Sequence, residues 1–358
     1  MSNFNYKDYI QDHLLNINGY KSLTYPKELS DFIKLDGNEN PYGPSNKVTD
    51  ALSNRNDYQL YPNSIDELKQ TIADYLNVQP SNIVCGAGAD AVINLIFSSL
   101  KNNYDDMQLA TITPTFGMYK HDAMINNIDI DELEQEINYR PNGYYFDVDA
   151  EPQIALIFAS PNNPTGQIME KDSMLKLLDK GHMVIIDEAY IKFSQYQSYV
   201  ELTKEYSNLI VIQTFSKWAG LAGLRIGYGI MNEELASTLN AIQQPYTITN
   251  YAMEAAIISL NDTEYLNDNV KKIIETRNNF INQLVDITNI TPIPSEGNFV
   301  LCHLNKGVNT DFHKFMYDKK ILIRIYSDAI LAKYARISIG TTDNMQKVLN
   351  AIEEWDKK

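Results

Sequence analysis

The chain of 358 residues is 44% hydrophobic and carries a formal net charge of −16, so it is long enough for two globular domains and is not intrinsically disordered. The acidic balance argues against nucleic acid or an anionic membrane as the main partner, and no apolar run has the length of a bilayer span or the form of a signal peptide. Because the two cysteines, Cys85 and Cys302, form no disulfide framework, we expect a cytoplasmic protein.

Short β-rich runs alternate with helical patterns in the first two thirds of the chain. Strands are predicted at residues 82–85, 109–113, 154–159, 183–186 and 209–214, and helices at residues 90–100 and 116–125. The last three strands are unbroken apolar runs, as is typical of parallel strands that are buried on both faces. The pattern predicts an α/β fold with a mostly parallel sheet and helices on both sides.

The remainder of the chain predicts a second, smaller α+β domain. Residues 233–282 have a helical pattern that could bridge two domains, and strands at 298–303, 321–325 and 335–339 precede a helix at 345–355. The first forty residues have the character of an arm. We therefore expect an N-terminal arm at 1–40 that contributes to the small domain, a large domain at 41–250 and a small domain at 251–358.

A glycine-rich turn, CGAGADA at residues 85–91, joins the first predicted strand and helix. Its small residues would let backbone N–H groups at the helix start approach a phosphate. The spacing also matches a permissive dinucleotide-binding pattern, which needs an acidic residue at the end of the next strand. That strand ends Thr113-Pro114-Thr115 without an acid, so a dehydrogenase is disfavoured. An ordinary tight turn remains the alternative.

Two further strands end in polar residues. In SPNNPTG, at residues 160–166, Asn163 could point its amide at a ring oxygen, although such residues also form ordinary turns. Asp187 follows an apolar strand, where an unpaired carboxylate is costly to bury; beside a pyridine nitrogen it would keep the ring protonated. Tyr190 could donate to the ring's phenolic oxygen. Magnesium is the alternative ligand for acids at a strand end, but the chain lacks the Gly-Lys-Ser/Thr loop of nucleotide hydrolases.

The segment TFSKWAGLAGLRIGY, at residues 214–228, follows another apolar strand. A buried lysine such as Lys217 can form a Schiff base with an aldehyde, and Ser216 with Arg225 can hold a phosphate. A solvated surface lysine is the alternative. Because ligands collect at the carboxyl ends of strands in an open α/β sheet, Lys217, Asp187 and Asn163 are expected at one edge. Together these residues predict a pyridoxal phosphate site.

From LDGNENPYGP at residues 35–44 to RISIGT at residues 336–341, the chain resembles the fold-type I pyridoxal-phosphate enzymes. Within them it is most similar to the histidinol-phosphate aminotransferase group of the class I and II aminotransferases. The resemblance implies a large domain with a mostly parallel seven-stranded sheet, a smaller α+β domain and an N-terminal arm. It also implies that Lys217, Asp187 and Tyr190 are the catalytic residues, with Lys217 bonded to the cofactor and Asp187 paired with the pyridine nitrogen.

The other cofactor contacts are likewise implied by the resemblance. Tyr190 and Asn163 would hold the ring oxygen, and Phe116 would stack on the ring. Tyr61 would reach the phosphate from the neighbouring subunit, which requires a homodimer. The phosphate would be held by Ser216 and Arg225 with the backbone of Ala89 and Asp90.

The implied reaction transfers the amino group of histidinol phosphate to α-ketoglutarate in a ping-pong cycle of histidine biosynthesis, with the freed Lys217 amine as general base. Asn163, Arg324, Arg336 and Tyr20 are the implied substrate contacts. Two converging arginines would suit a phosphate dianion. Surface ion pairing is the alternative for both arginines.

Three positions depart from the family's pattern. The chain has Ala91 where the family usually has glutamate, Ile325 where it usually has proline, and Trp218-Ala219 where Ala-Phe commonly follows the lysine. The alternatives within this fold are an aromatic amino acid aminotransferase and a threonine-phosphate decarboxylase. A regulatory module without catalysis would need a DNA-binding pattern that the acidic arm does not offer. The five histidines have no metal-ligand spacing, so no metal is expected.

Overall fold

A computed structural model of the chain describes residues 4–17, 19, 25–101, 109–137, 143–148 and 153–357. Its larger sheet has seven strands, with the order β2-β8-β7-β6-β5-β3-β4. All neighbouring strands are parallel except β8, which runs antiparallel to both β2 and β7. The strands are β2 (Ile83–Gly86), β3 (Leu109–Thr113), β4 (Ile130–Glu134), β5 (Ala155–Ala159), β6 (Met183–Asp187), β7 (Leu209–Thr214) and β8 (Gly227–Ile230).

A smaller five-stranded sheet has the order β1-β11-β12-β10-β9. Four of its strands come from the last quarter of the chain, and β1 comes from the N-terminal region. β1 pairs in parallel with β11, so the segment after the arm is tied into this sheet. The domain limits at residues 40 and 250 remain predictions. The strands are β1 (Ile33–Leu35), β9 (Ile290–Ile293), β10 (Phe299–Leu304), β11 (Ile321–Ile325) and β12 (Tyr334–Ser338).

Ten α-helices are present in the described part of the chain, and among them no helix is both long and apolar enough to cross a membrane. Helix α3 follows the glycine-rich turn. The long α8 packs against β9, β10 and α10. The helices are α1 (Asn46–Ser53), α2 (Asp66–Leu76), α3 (Ala89–Ser99), α4 (Met118–Ile125), α5 (Lys171–Asp179), α6 (Glu233–Ile242), α7 (Asn250–Leu260), α8 (Thr263–Leu284), α9 (Asn309–Asp318) and α10 (Thr342–Asp356).

The predicted α/β class and the parallel core are confirmed. Every residue of β5 and β7 is buried, as unbroken apolar runs between two helical layers require. The helical pattern at residues 233–282 is divided among α6, α7 and α8. Pro245 lies in the first interruption, where it has no N–H to donate, and the Thr249 side chain caps α7.

Four strands have no counterpart in the sequence patterns, namely β1 and β9 of the smaller sheet and β4 and β8 of the larger one. β4 and β8 were missed for different physical reasons. β4 is an edge strand whose charged residues stay partly exposed, so it has no apolar run. β8 has the sequence GYGI, and glycine is poor in strands. Gly227 is required there because a Cβ at this position would lie 2.5 Å from the backbone nitrogen of Ala89, at the start of α3.

This close approach predicts that Gly227→Ala destabilises the protein, whereas Gly223→Ala, in the loop that follows the lysine, is tolerated. A Cβ at Gly223 would meet no atom within 4 Å. We expect Gly227→Ala to lower the free energy of unfolding by about 1–3 kcal/mol, because a strand or a helix start must move. Gly223→Ala should change it by less than about 0.5 kcal/mol. Chemical denaturation of both variants measures the difference, and equal midpoints would contradict the close packing at β8.

Candidate active site

The carboxyl ends of β5, β6 and β7 bring polar side chains to one cavity of about 130 Å³. Asn163 follows β5, Asp187 ends β6, and Ser216 with Lys217 follows β7. The start of α3 closes the opposite end. Residues lining the cavity are Ala89, Asp90, Phe116, Ala159, Asn163, Asp187, Ala189, Tyr190, Thr214, Ser216, Lys217, Ala222 and Arg225.

Asp187 is a buried carboxylate held by two neutral donors. The Tyr119 hydroxyl donates to its Oδ2 at 2.8 Å, and the backbone N–H of Ala189 donates to its Oδ1 at 3.0 Å. Burial raises the pKa of Asp187 to about 6, against the lowering effect of these two hydrogen bonds. No salt bridge to Asp187 forms within the described residues, so the site is suited to a cationic or protonated partner.

Lys217 reaches into the same cavity and donates from Nζ to the carbonyl oxygen of Gly37 at 3.0 Å. Its Nζ also lies 5.9 Å from the centre of the Tyr190 ring. Burial lowers the pKa of Lys217 to about 8, and the positive charge of Arg336 adds to this lowering. A substantial fraction of the amine is therefore neutral near physiological pH, as a nucleophile or general base requires.

The other end of the cavity has the character of an anion site. The backbone N–H groups at the start of α3 point there, and the Arg225 guanidinium lies against Asp90 Oδ2 at 2.6 Å. Gly88 has φ +89° and lies so close to Arg225 that a Cβ would be 2.4 Å from the guanidinium. The Thr214 hydroxyl oxygen lies 2.9 Å from Ser216 Oγ, and this contact holds the serine hydroxyl at the anion end.

Phe116, Tyr190 and Asn163 line the side of the cavity that faces the small sheet. Phe116 packs edge-on against Tyr119, with ring centres 5.6 Å apart. The Tyr190 hydroxyl accepts a hydrogen bond from Asn38 Nδ2 at 3.0 Å. Asn163 Oδ1 accepts from Arg336 at 2.6 Å, which leaves the Asn163 amide nitrogen free to donate elsewhere.

Arg324 and Arg336 lie opposite each other on β11 and β12. Both line a second pocket of about 180 Å³ that shares Asn163, Tyr190 and Lys217 with the first. Arg336 is buried and donates to Asn163 and to the carbonyl oxygen of Asp36 at 2.5 Å. Its Nε has no partner among the residues that the structure describes. Within the described residues neither guanidinium has a carboxylate partner, so this pocket is suited to an anionic ligand.

One predicted residue, Tyr61, is not brought to the cavity of its own chain. Tyr61 is 77% exposed and packs on Tyr246, with ring centres 4.8 Å apart. The predicted role of Tyr61 is to reach the phosphate of the neighbouring subunit, and a single chain does not test that role. Tyr20 lies outside the described residues. No cluster of three metal-binding side chains was found in the parts of the chain that are described.

Four residues at the site were given no role by the sequence patterns. Tyr119 donates to Asp187, Gly37 accepts from Lys217, Asn38 donates to Tyr190, and Ser338 holds Asn38. Tyr119 lies in the helix predicted at residues 116–125, Gly37 and Asn38 lie in LDGNENPYGP, and Ser338 lies in RISIGT. Only the fold shows that segments 300 residues apart meet.

Comparison with known proteins agrees with this geometry. Residues 30–352 match the family model described as aminotransferase class I and II. The histidinol-phosphate aminotransferase of Dehalococcoides mccartyi is 36% identical over 357 residues, covering 98% of this chain and 99% of that protein.

Two solved structures share the fold. A histidinol-phosphate aminotransferase from Clostridium acetobutylicum has a TM-score of 0.79 and 26% identity, covering 91% of this chain and 99% of that one. The enzyme of that name from Sinorhizobium meliloti, in complex with pyridoxal-5'-phosphate, has a TM-score of 0.81 and 22% identity, covering 100% and 98%. With a lysine, a buried carboxylate and an anion site at one sheet edge, the chain belongs to the class I and II aminotransferases and is a pyridoxal-phosphate-dependent enzyme.

Proposed function

We propose that this enzyme transfers the amino group of histidinol phosphate to α-ketoglutarate, giving imidazole acetol phosphate and glutamate. The observation that carries the proposal is the pair Arg324 and Arg336 on one pocket wall without a carboxylate partner among the described residues. The name of the Dehalococcoides mccartyi relative supports the same substrate.

The cavity residues fit pyridoxal phosphate in charge and in shape. Asp187 is a buried carboxylate that forms no salt bridge among the described residues, which suits a protonated pyridine nitrogen. Gly88 and Gly227 have no side chain, which lets the Arg225 guanidinium and the start of α3 pack closely at the end of the cavity where a phosphate would be held. In the bound state Ser216, Arg225 and the N–H groups of Ala89 and Asp90 would hold the phosphate.

Pyridoxal phosphate supplies an aldehyde that bonds to amines and a pyridine ring that accepts an electron pair. Lys217 would bind that aldehyde through Nζ and, when displaced by substrate, would move the proton from the substrate Cα. Its lowered pKa keeps the amine available as a base. Asp187 would hold the proton at the ring nitrogen, and Tyr190 with Asn163 would orient the ring through its phenolic oxygen.

The two arginines provide for both substrates of the cycle. Because Arg324 and Arg336 are opposite residues on antiparallel strands, their side chains lie on one face of the sheet. Two guanidinium groups match the double charge of a phosphate ester, and one suffices for the α-carboxylate of glutamate. The contact from Arg336 to Asn163 would join substrate binding to cofactor binding.

We further propose a homodimer in which Tyr61 acts in the partner's site. Tyr61 does not line the cavity of its own chain, and it lies among exposed apolar side chains that a monomer would leave in water. These are Tyr58, Leu60, Tyr61, Ile242 and Tyr246. A cytoplasmic location is also proposed, because both cysteines are buried and unpaired.

The substrate is tested with the purified protein, added cofactor and a panel of amino donors. With α-ketoglutarate, histidinol phosphate should give the highest kcat/KM for glutamate formation, and Lys217→Ala should be inactive. Arg324→Gln should lower kcat/KM for histidinol phosphate by about tenfold or more, and lower it less for an amino acid donor. Glutamate formation from phenylalanine but not histidinol phosphate would identify an aromatic aminotransferase. Carbon dioxide release from threonine phosphate would identify a decarboxylase.

Asp187→Asn should stabilise the cofactor-free protein while abolishing activity. The raised pKa means that folding favours the protonated carboxyl, so ionisation of Asp187 destabilises the folded state as pH rises through 6. At pH 7–8 the variant should gain about 1–3 kcal/mol, and the gain should disappear as pH falls to about 4. Thermal unfolding across this pH range measures the effect, with the exposed Asp286→Asn as control. If Asp187→Asn were less stable than the native protein at every pH, burial of the ionised Asp187 carboxylate would not be destabilising as proposed.

Mixed dimers test the position of Tyr61. If it acts in the partner's site, a dimer of Lys217→Ala with Tyr61→Ala contains one site that has both native residues. Mixing the two impaired proteins under exchange conditions should therefore restore up to about a quarter of the native activity, since half of the dimers are mixed and each has one intact site. Activity no higher than the sum of the separate variants would place Tyr61 in its own chain's site or outside the site.

A further inference from the structure

Asn38 joins the N-terminal segment to both sheets through a set of buried hydrogen bonds. Its backbone N–H donates to Ser338 Oγ at 2.9 Å, and the Ser338 hydroxyl donates to Asn38 Oδ1 at 2.8 Å. Asn38 Nδ2 donates to the Tyr190 hydroxyl at 3.0 Å. The Asn38 carbonyl oxygen accepts from Asn298 Nδ2 at 3.0 Å.

The hydrogen bond from the Asn38 backbone N–H to Ser338 Oγ determines which atoms donate and which accept in the rest of this set. A backbone N–H can only donate, so Ser338 Oγ must accept from Asn38. The single Ser338 proton is then available for Asn38 Oδ1. If the Asn38 amide were reversed, that buried proton would have no acceptor among the described residues, which is costly. The amide nitrogen therefore faces Tyr190.

The consequence for Tyr190 concerns its proton. Because the Tyr190 oxygen accepts from Asn38, its own proton cannot point back along that bond. In the part of the chain that the structure describes, the hydroxyl has no other hydrogen-bond partner. Tyr190 lines the cofactor cavity, so its proton is available to an acceptor there.

We propose that Ser338 and Asn38 are positioning residues that turn the Tyr190 hydroxyl into a fixed donor toward the ring oxygen of the cofactor. The inference rests on the proposed placement of pyridoxal phosphate beside Tyr190. It does not depend on which amino donor the enzyme uses. Neither Ser338 nor Asn38 needs to touch the cofactor to act in this way.

Asn38→Asp provides a sharp test because it keeps the size of the side chain and removes its donor. Aspartate also tolerates the left-handed backbone of this position, where φ is +52°. Tyr190 would then donate to the introduced carboxylate, so its proton would leave the cavity. In Ser338→Ala the amide loses the partner that fixes its direction, whereas Ser338→Thr keeps a hydroxyl.

The measurement is the pH midpoint of the visible absorbance of the cofactor-loaded protein. A hydrogen bond to a phenolic oxygen stabilises its anionic form, so loss of the donor makes the chromophore hold its proton more tightly. Asn38→Asp and Ser338→Ala should each raise the midpoint, by up to about one pH unit. Ser338→Thr should restore most of the original value.

Two comparisons distinguish positioning of the Tyr190 hydroxyl from disruption of the site and from the effect of an added charge. In a Tyr190→Phe background, Ser338→Ala should no longer move the midpoint, because the proposed effect passes through the tyrosine hydroxyl. In the same background, the shift of the midpoint that Asn38→Asp causes measures the effect of the added negative charge alone. This shift must be smaller than the shift that Asn38→Asp causes when Tyr190 is present. Asn298→Ala releases the Asn38 carbonyl without changing the direction of the amide, so it should move the midpoint little.

The other titratable groups that act on Tyr190 are Arg336, Asp187 and Tyr326, with Lys217 beside its ring, and no variant replaces them. An unchanged midpoint in Ser338→Ala, or equal shifts with and without Tyr190, would overturn the proposal. Absence of a visible band in the native protein would overturn the cofactor assignment as well. Inactivity toward histidinol phosphate would affect the proposed substrate alone and leave this test valid.

Discussion

The burial of charge at the carboxyl edge of the seven-stranded sheet is the constraint on which the site depends. Asp187 and Lys217 both lose water there, and neither forms a salt bridge within the described residues. Burial moves their pKa values toward each other, because it disfavours the charged form of each. This arrangement costs folding stability, yet it gives a carboxyl that can hold a ring proton and an amine that can act as a base. The cost in stability is therefore explained by the ligand that these two groups bind.

A short segment of the N-terminal region supports the other wall. Between β1 and residue 40 the chain supplies a carbonyl to Lys217, a carbonyl to Arg336 and an amide to Tyr190. These partners come from both sheets, so the segment joins the cofactor end of the cavity to the substrate end. Its path is fixed by the parallel pairing of β1 with β11. The segment between β1 and residue 40 has no hydrophobic core of its own, and this strand pairing determines its position.

Much of the site could be predicted because its residues follow apolar strands. The runs that became β5, β6 and β7 place Asn163, Asp187 and Lys217 at one edge, and this was visible in the sequence. The roles of Asn38, Ser338 and Tyr119 could not be inferred in this way, since their partners are distant in sequence and their spacing follows no period. β8 was missed because its glycines are required by contact with α3 and not by strand preference.

The alternation of side chains on β12 explains why substrate and cofactor contacts are joined. Arg336 and Ser338 are two residues apart, so they face the same side of the sheet. Arg336 contacts Asn163 and Ser338 contacts Asn38, and each of these amides belongs to the surroundings of the proposed ring oxygen. Any displacement of β12 must therefore change both hydrogen-bonding networks at once. An anion bound at Arg336 would act on the same strand that fixes the direction of the Tyr190 proton, which makes one strand the physical link between the two halves of the site.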